Sequence, residues 1–250
     1  MAKVSKIGEN TWKISEWGRF FRVSMYLLIG SERAVMIDTG YGNSDLKKIV
    51  SNLTNKPVAV LNTHGHLDHV NGNHFFNESW LAKEDYEVWK LHSDDEFLKS
   101  LKLKHGFPKA TPQFIDFTSY ELGGRTLEII PSPGHTKGSI SILDTFSKTI
   151  FVGDNITPLN TWLGTDDSTS VTVYRETLET LKRIFLESGA TGFHAGHSFF
   201  RMKLSALEEY LSLCDLILEG KGKKPKWVDM GLNKGYMSRL RTSSLVWREL

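Results

Sequence analysis

The sequence predicts an α/β fold in which short strands and helices alternate along 250 residues. Three observations carry that expectation. Brief apolar runs at 34–37 and 57–61 are too short for helices and fit buried strands. Stretches at 169–186 and 204–218 carry apolar residues at helical spacing, with Leu204, Leu207, Leu211, Cys214 and Leu218 marking one side of the second. A dense histidine motif follows the 57–61 run at once, and strand, ligand loop and helix in that order hold ligand side chains on rigid supports.

Taken in order, residues 20–29 and 34–37 read as two strands separated by the turn Gly30-Ser31-Glu32-Arg33. Asp38-Thr39-Gly40 ends the second, and 44–53 forms a short helix with Ser44 or Asp45 near its start. Residues 57–61, Pro-Val-Ala-Val-Leu, fit a strand buried on both faces. From 75 to about 126 the periodicity weakens. Helical pieces at 78–82 and 94–102 precede a loop through Gly106, Pro108 and Pro112, and this stretch is expected to cover a site rather than found it. Strands follow at 127–130, 139–143 and 149–152, then the helix at 169–186, a strand at 190–193 and the helix at 204–218. No repeat of 20–50 residues interrupts the series.

One domain is expected over 1–220, with 221–250 a basic C-terminal extension packed on it or on a neighbouring subunit. Lys221, Lys223, Lys224, Lys226, Lys234, Arg239, Arg241 and Arg248 face only Asp229 and Glu249 there, so the extension is +6 and the rest −4. It reads as a solvated or subunit-contacting segment, or as a basic rim that attracts an anionic substrate. The formal charge of +2 over the whole chain argues against a nucleic-acid partner, which needs a dense basic face. Cys214, the one cysteine, excludes an internal disulfide framework and any thiolate metal cluster. The first residues lack an apolar core of signal-peptide length and no stretch reaches 18 apolar residues, so a cytoplasmic location with no membrane association is expected. The expected partner is a small-molecule substrate, with a homodimer contact through the 204–218 helix or the extension.

The chemistry concentrates in Thr63-His64-Gly65-His66-Leu67-Asp68-His69. His64 and His66, two apart in an extended segment, point to the same side and converge on one ion. Asp68 and His69 diverge from them as a helix begins and suit a neighbouring ion. Burying three imidazoles and a carboxylate together is expensive unless cations or many hydrogen bonds compensate. Further on, His135, Asp154 and His197 each follow a glycine (Gly134, Gly153, Gly196). His135 would complete the first ion's ligands, His197 the second's, and Asp154 would bridge. Nitrogen and carboxylate donors without cysteine suit two divalent ions, zinc foremost, with iron or manganese also fitting. His74, His92 and His105 read as structural or exposed.

This set resembles the metallo-β-lactamase-fold hydrolases over roughly residues 20–200, and within them the hydroxyacylglutathione-hydrolase-like branch. The resemblance implies a four-layer αββα sandwich, with two sheets packed face to face, helices outside and the metals at one edge. It implies that His64, His66 and His135 hold the first metal, that Asp68, His69 and His197 hold the second, and that Asp154 bridges. Asp38, closing the 34–37 run, matches an acidic residue that supports the motif from behind. His194, three before His197, competes for the same role, but Gly196-His197 fits the family pattern. The β-lactamases proper place a cysteine where this chain has Asp154, which argues against antibiotic hydrolysis. Flavodiiron members replace the second motif histidine with glutamate, whereas this chain has His66.

The expected activity is hydrolysis of a small ester, thioester or lactone. Two bound cations would acidify a water to near neutral pH and so supply a nucleophile for a carbonyl carbon, or for phosphorus, without a side-chain base. Asp68 and Asp154 are the candidate catalytic carboxylates. Asn160, Trp162 and His194 are candidates for the substrate pocket, which residues 155–168 would wall. A phosphodiesterase or nuclease, an iron-dependent oxygen or sulfur oxidoreductase, and a metal-stabilised binding protein without turnover are the alternatives.

Overall fold

The structure, a computed structural model, describes residues 2–19, 21–158, 160–221 and 223–250. Phe20, expected to open a strand, and Leu159, within the expected pocket wall, lie outside the described residues. The chain divides into two compact units, 1–129 with 142–147 and 130–141 with 148–250.

The first unit is built on strands in chain order: β1 (Lys3–Gly8), β2 (Thr11–Trp17), β3 (Arg22–Ile29), β4 (Ala34–Ile37), β5 (Val58–Leu61), β6 (Ser79–Leu81) and β7 (Gln113–Phe114). Neighbours from β1 to β4 run antiparallel and those from β4 to β7 parallel. Ile14, Met25, Leu27, Ala34, Met36 and Val60 make one apolar face, onto which Leu46 and Val50 of helix α1 (Leu46–Ser51) pack. A fully buried side chain of this size stabilises the fold by about 1.5–3 kcal/mol. Asp45 caps α1, its carboxylate accepting from the Lys48 amide at 3.0 Å.

Residues 79–81, expected within a helix, are extended. Ser79 and Trp80 pair in parallel with Val60 and Leu61, so the neighbouring strand supplies the hydrogen bonds that a helical turn would have made internally. Helix α2 (Leu67–Val70) follows the histidine loop. The expected helix near 94–102 forms as α4 (Asp95–Ser100), capped by Asp94, while α3 (Tyr86–His92) precedes it unforeseen. Strands β8 (Ser119–Glu121) and β9 (Thr126–Pro131) pair as an antiparallel hairpin, and β10 (Ile140–Asp144) follows.

Glu16 of β2 is almost wholly buried, and its Oε1 accepts from the Tyr41 amide at 2.6 Å. Burial raises its carboxyl above the ordinary range, outweighing the hydrogen bonds that oppose it. A carboxyl whose folded pKa lies above its unfolded value holds its proton longer in the native state, so its contribution to stability falls as pH rises through that interval. Glu16→Gln, which keeps an acceptor for Tyr41, is therefore expected to melt higher than the parent chain near pH 7, with the difference shrinking toward pH 4. Melting curves with the same pH dependence for both proteins would overturn this.

In the second unit, β11 (Thr149–Phe151) precedes β12 (Asn160–Leu163) and helix α5 (Val171–Ser188), which starts at the Ser170 cap and ends at left-handed Gly189. The strand expected at 190–193 forms as β13 (Phe193–His194), since the first residues after Gly189 close the helix turn through the Ala190 amide on Phe185 O. Helix α6 (Leu204–Leu218) matches its expected bounds and buries Leu207, Tyr210, Leu211 and Cys214. Burial pushes the Cys214 thiol up to about 12, so it stays protonated. Beyond it lie strands the sequence left unread: β14 (Lys226–Met230), β15 (Asn233–Leu240) and β16 (Ser243–Trp247), with β16 parallel to β12.

Among the described residues the sheets are ordered β1 to β7, β13-β11-β10-β9-β8 and β12-β16-β15-β14, a mixed α/β architecture with helices flanking the sheets. No described helix is long and apolar enough to cross a membrane.

Candidate metal centre

In the first unit the candidate donors follow the C-terminal end of β5, and Asp38, which supports them, follows that of β4. The parallel register aligns Ile37 with Leu61, which sets Asp38 beside the start of the histidine loop. Asp38 adopts φ +59°, a left-handed conformation that aspartate tolerates better than most residues. From there its Oδ1 accepts the Thr63 amide at 2.7 Å. Its Oδ2 accepts the Thr63 hydroxyl at 2.8 Å and His69 Nδ1–H at 2.8 Å. With its own proton directed at Asp38, the Thr63 oxygen accepts from His64 Nδ1 at 3.0 Å. Both imidazoles thereby carry their proton on Nδ1, which leaves Nε2 unprotonated and able to serve as a metal donor. One buried carboxylate sets two tautomers, one directly and one through a hydroxyl.

Gly65 separates His64 and His66 because the α3 segment passes close by. A Cβ there would lie 2.8 Å from Asp85 O and from Trp89 N, and the Gly65 amide donates to Asp85 Oδ2 at 2.8 Å. The His69 carbonyl accepts from the Thr39 amide at 2.8 Å and from Asn62 Nδ2 at 3.0 Å. The His64 ring lies 4.7 Å from that of His66 and 4.0 Å from that of His69, centroid to centroid. Asp68, on the first turn of α2, places Oδ2 3.9 Å from His69 Nε2.

In the second unit, strands β11 and β13 pair in parallel with Phe151 opposite His194. Asp154 and His197 each lie three residues past that aligned pair, and the Gly196 amide donates to Gly153 O at 2.9 Å, tying the two turns together. His197 Nε2 approaches Asp154 Oδ2 to 3.1 Å, and His135 Nε2 approaches the same oxygen to 3.8 Å. His135 Nδ1 donates to the Trp162 carbonyl at 2.7 Å, which again leaves Nε2 unprotonated.

Three groups of side chains place ligand atoms close enough to hold an ion: His64, His66 and His135; His64, His69 and Asp154; Asp68, His69 and His197. The donor set fits divalent cations. It consists of imidazoles, three of them (His64, His69 and His135) with Nδ1 bound to an oxygen, and carboxylates, in buried or half-buried positions, with no lysine or arginine among them.

Of the pocket candidates, Asn160 Oδ1 accepts the Ser244 hydroxyl, and Trp162 meets the site through its backbone carbonyl. His194 is buried with its ring stacked on Phe151, centroids 5.5 Å apart. Two residues do more than sequence reasoning gave them, His92 having been read as structural or exposed and Thr63 only as the head of the motif. His92 stacks on His66, centroids 4.7 Å apart, and its Nδ1 accepts the Leu67 amide at 3.2 Å, so it braces the loop from α3. Thr63 carries the link from Asp38 to His64, and its place at the head of the motif, directly before His64, was the available signal. His74 and His105 bond to backbone carbonyls of Asn71 and Leu103.

Clusters of candidate metal ligands on sheets flanked by helices, taken with the superfamily match that follows, mark a metal-dependent hydrolase. The chain belongs to the metallo-beta-lactamase superfamily, whose sequence model matches residues 18–187. A probable metallo-hydrolase of Methanocaldococcus jannaschii is 28% identical over 193 residues, covering 74% of this chain and 91% of that protein. An acyl-coenzyme A thioesterase of Homo sapiens is 27% identical over 184 residues, 59% of this chain and 64% of the relative. The solved metallo-beta-lactamase from Pontibacter korlensis superposes with a TM-score of 0.64 at 20% identity, covering 86% of this chain and 99% of that one. At that identity the structural likeness speaks for the fold alone.

Proposed function

We propose that the protein is a dinuclear hydrolase of a small ester, thioester or lactone. His64, His66 and His135 would hold one ion, Asp68, His69 and His197 the other, and Asp154 would serve both. The observation that carries this reading is the overlap of the donor groups, in which His64, His69 and Asp154 link the two outer sets. Zinc suits the nitrogen-rich donors, and iron or manganese would also be accepted. When bound, such a pair supplies Lewis acidity and acidifies water near neutral pH.

The chain's own part is to fix the donors. Asp38 holds His69 and, through Thr63, His64 in the tautomer that leaves Nε2 free of a proton. The Trp162 carbonyl does the same for His135. Asp68 and Asp154 keep 15% and 11% of their side chains exposed, and a carboxylate oxygen of either would take up a proton during turnover. The thioester branch draws support from the acyl-coenzyme A thioesterase relative.

Elemental analysis of protein purified without a chelating tag is expected to give two equivalents of metal. His66→Ala should retain no more than one and lose at least 10²-fold in turnover on a panel of esters, thioesters and lactones. One equivalent or none in the parent chain, not raised by added metal, would overturn the dinuclear reading. Two equivalents with phosphodiesters as the only substrates turned over would overturn the substrate class.

A further inference from the structure

We propose that Asn155 is a positioning residue that fixes the separation of two donors, His135 and Asp154, by joining their turns through its side-chain amide. The inference rests on the dinuclear reading above. Asn155 directly follows Asp154 and is fully buried. The sequence placed it in a pocket wall, yet its side chain turns inward. Its Oδ1 accepts the His135 amide at 2.9 Å, and its Nδ2 donates to the Ser132 carbonyl at 2.6 Å. The one planar amide thus spans the Ser132-Pro133-Gly134-His135 turn at both ends. Its backbone is pinned in turn, since the carbonyl accepts the Tyr174 hydroxyl and the amide donates to Val152 O at 3.1 Å.

Side-chain choice is tightly limited here. A Cβ on Gly134 would lie 2.7 Å from Asn155 Oδ1 and equally close to the Tyr174 ring, so the turn is compressed onto the amide. Only a side chain with an acceptor and a donor on one short plane serves both ends. Aspartate keeps the acceptor for His135 but sets an oxygen against the Ser132 carbonyl. Alanine leaves both buried backbone groups without the amide.

The turn has other anchors that do not involve Asp154. Thr177 Oγ1 donates to Pro133 O at 2.6 Å, Ser168 Oγ to His135 O at 2.8 Å, and His135 Nδ1 to Trp162 O at 2.7 Å. Losing the amide therefore leaves the turn folded but uncouples it from the Asp154 turn. His135 Nε2 now lies 3.8 Å from Asp154 Oδ2, and that spacing would relax.

The test uses Asn155→Ala and Asn155→Asp in the full chain, read by hydrogen exchange of the metal-free protein and by zinc titration. The His135 amide is expected to exchange at least 10-fold faster in both variants, with Leu178 in the core of α5 unchanged. One of two zinc steps should weaken 10- to 100-fold, and it should be the step that His135→Ala removes. Unchanged His135 exchange and unchanged zinc binding would overturn the inference alone. Equal acceleration at Leu178 with both zinc steps equally weakened would make Asn155 a general stabiliser and overturn it too. A parent chain that takes up fewer than two zinc equivalents would overturn the dinuclear reading itself, and the inference with it.

Discussion

Asp38→Ala is expected to lose 10- to 100-fold in metal affinity and to unfold at markedly lower temperature even without metal. The carboxylate accepts the Thr63 amide, the Thr63 hydroxyl and His69 Nδ1–H, all within a buried cluster. Stranding such donors costs about 1–3 kcal/mol each. Alanine at φ +59° adds roughly 1–2 kcal/mol of backbone strain. The freed imidazoles could then place their proton on Nε2, the atom needed for metal, which is why affinity should fall beyond what unfolding explains. Asp38→Asn separates the two effects. Asparagine tolerates the left-handed backbone and keeps one carbonyl oxygen, so most of the stability should return. Its amide must face either Thr63 or His69 with a donor, so metal affinity should stay low. Zinc titration and melting of the metal-free proteins check both halves. Parent-like zinc binding in Asp38→Ala would refute the tautomer argument.

Arg125→Ala is expected to destabilise the protein by about 3–5 kcal/mol without touching the metal site. Arg125 and Asp144 are both almost wholly buried, with Arg125 Nε 3.0 Å from Asp144 Oδ1 and Nη2 2.6 Å from Oδ2. The same guanidinium donates to Asn10 O at 3.0 Å and to Thr11 Oγ1 at 2.8 Å, so it fastens the turn before β2 to the β8–β9 hairpin and the end of β10. Removing one partner strands the other charge away from water, and that explains the size of the effect. A fall in melting temperature of roughly 6–20 °C should follow for a chain of this length. Arg125→Met paired with Asp144→Leu should recover part of it, since no lone charge is then buried. Zinc stoichiometry should remain at the parent value in both variants. A loss below about 1 kcal/mol would show that water reaches the pair.

The histidine motif was legible because its donors are contiguous and follow a short apolar strand whose identity the residues themselves announce. Helix α6 was legible for a related reason, since its apolar side repeats within a single element. Strand β6 was not, because Ser79-Trp80-Leu81 carries too few residues for either period to show, and its conformation is decided by pairing with β5. The strands of 221–250 were hidden by their charge, and β16 is settled by its register against β12, more than 80 residues earlier. His92 gave no local sign of touching the site, since what makes it a neighbour of His66 is the docking of α3 on the loop.

The sequence by itself determined which residues could bind metal, with no cysteine among them, and set the first four between a strand and a short helix. Only the tertiary structure decided which donors face which. The parallel register of β11 on β13 sets Asp154 beside His197, Asp38 settles where the protons of His64 and His69 reside, and the Asn155 amide bonds both ends of the turn that carries His135. The physical reason is one of range. Periodicity and donor chemistry are properties of neighbouring residues, whereas register and tautomer depend on hydrogen bonds between residues distant in the chain.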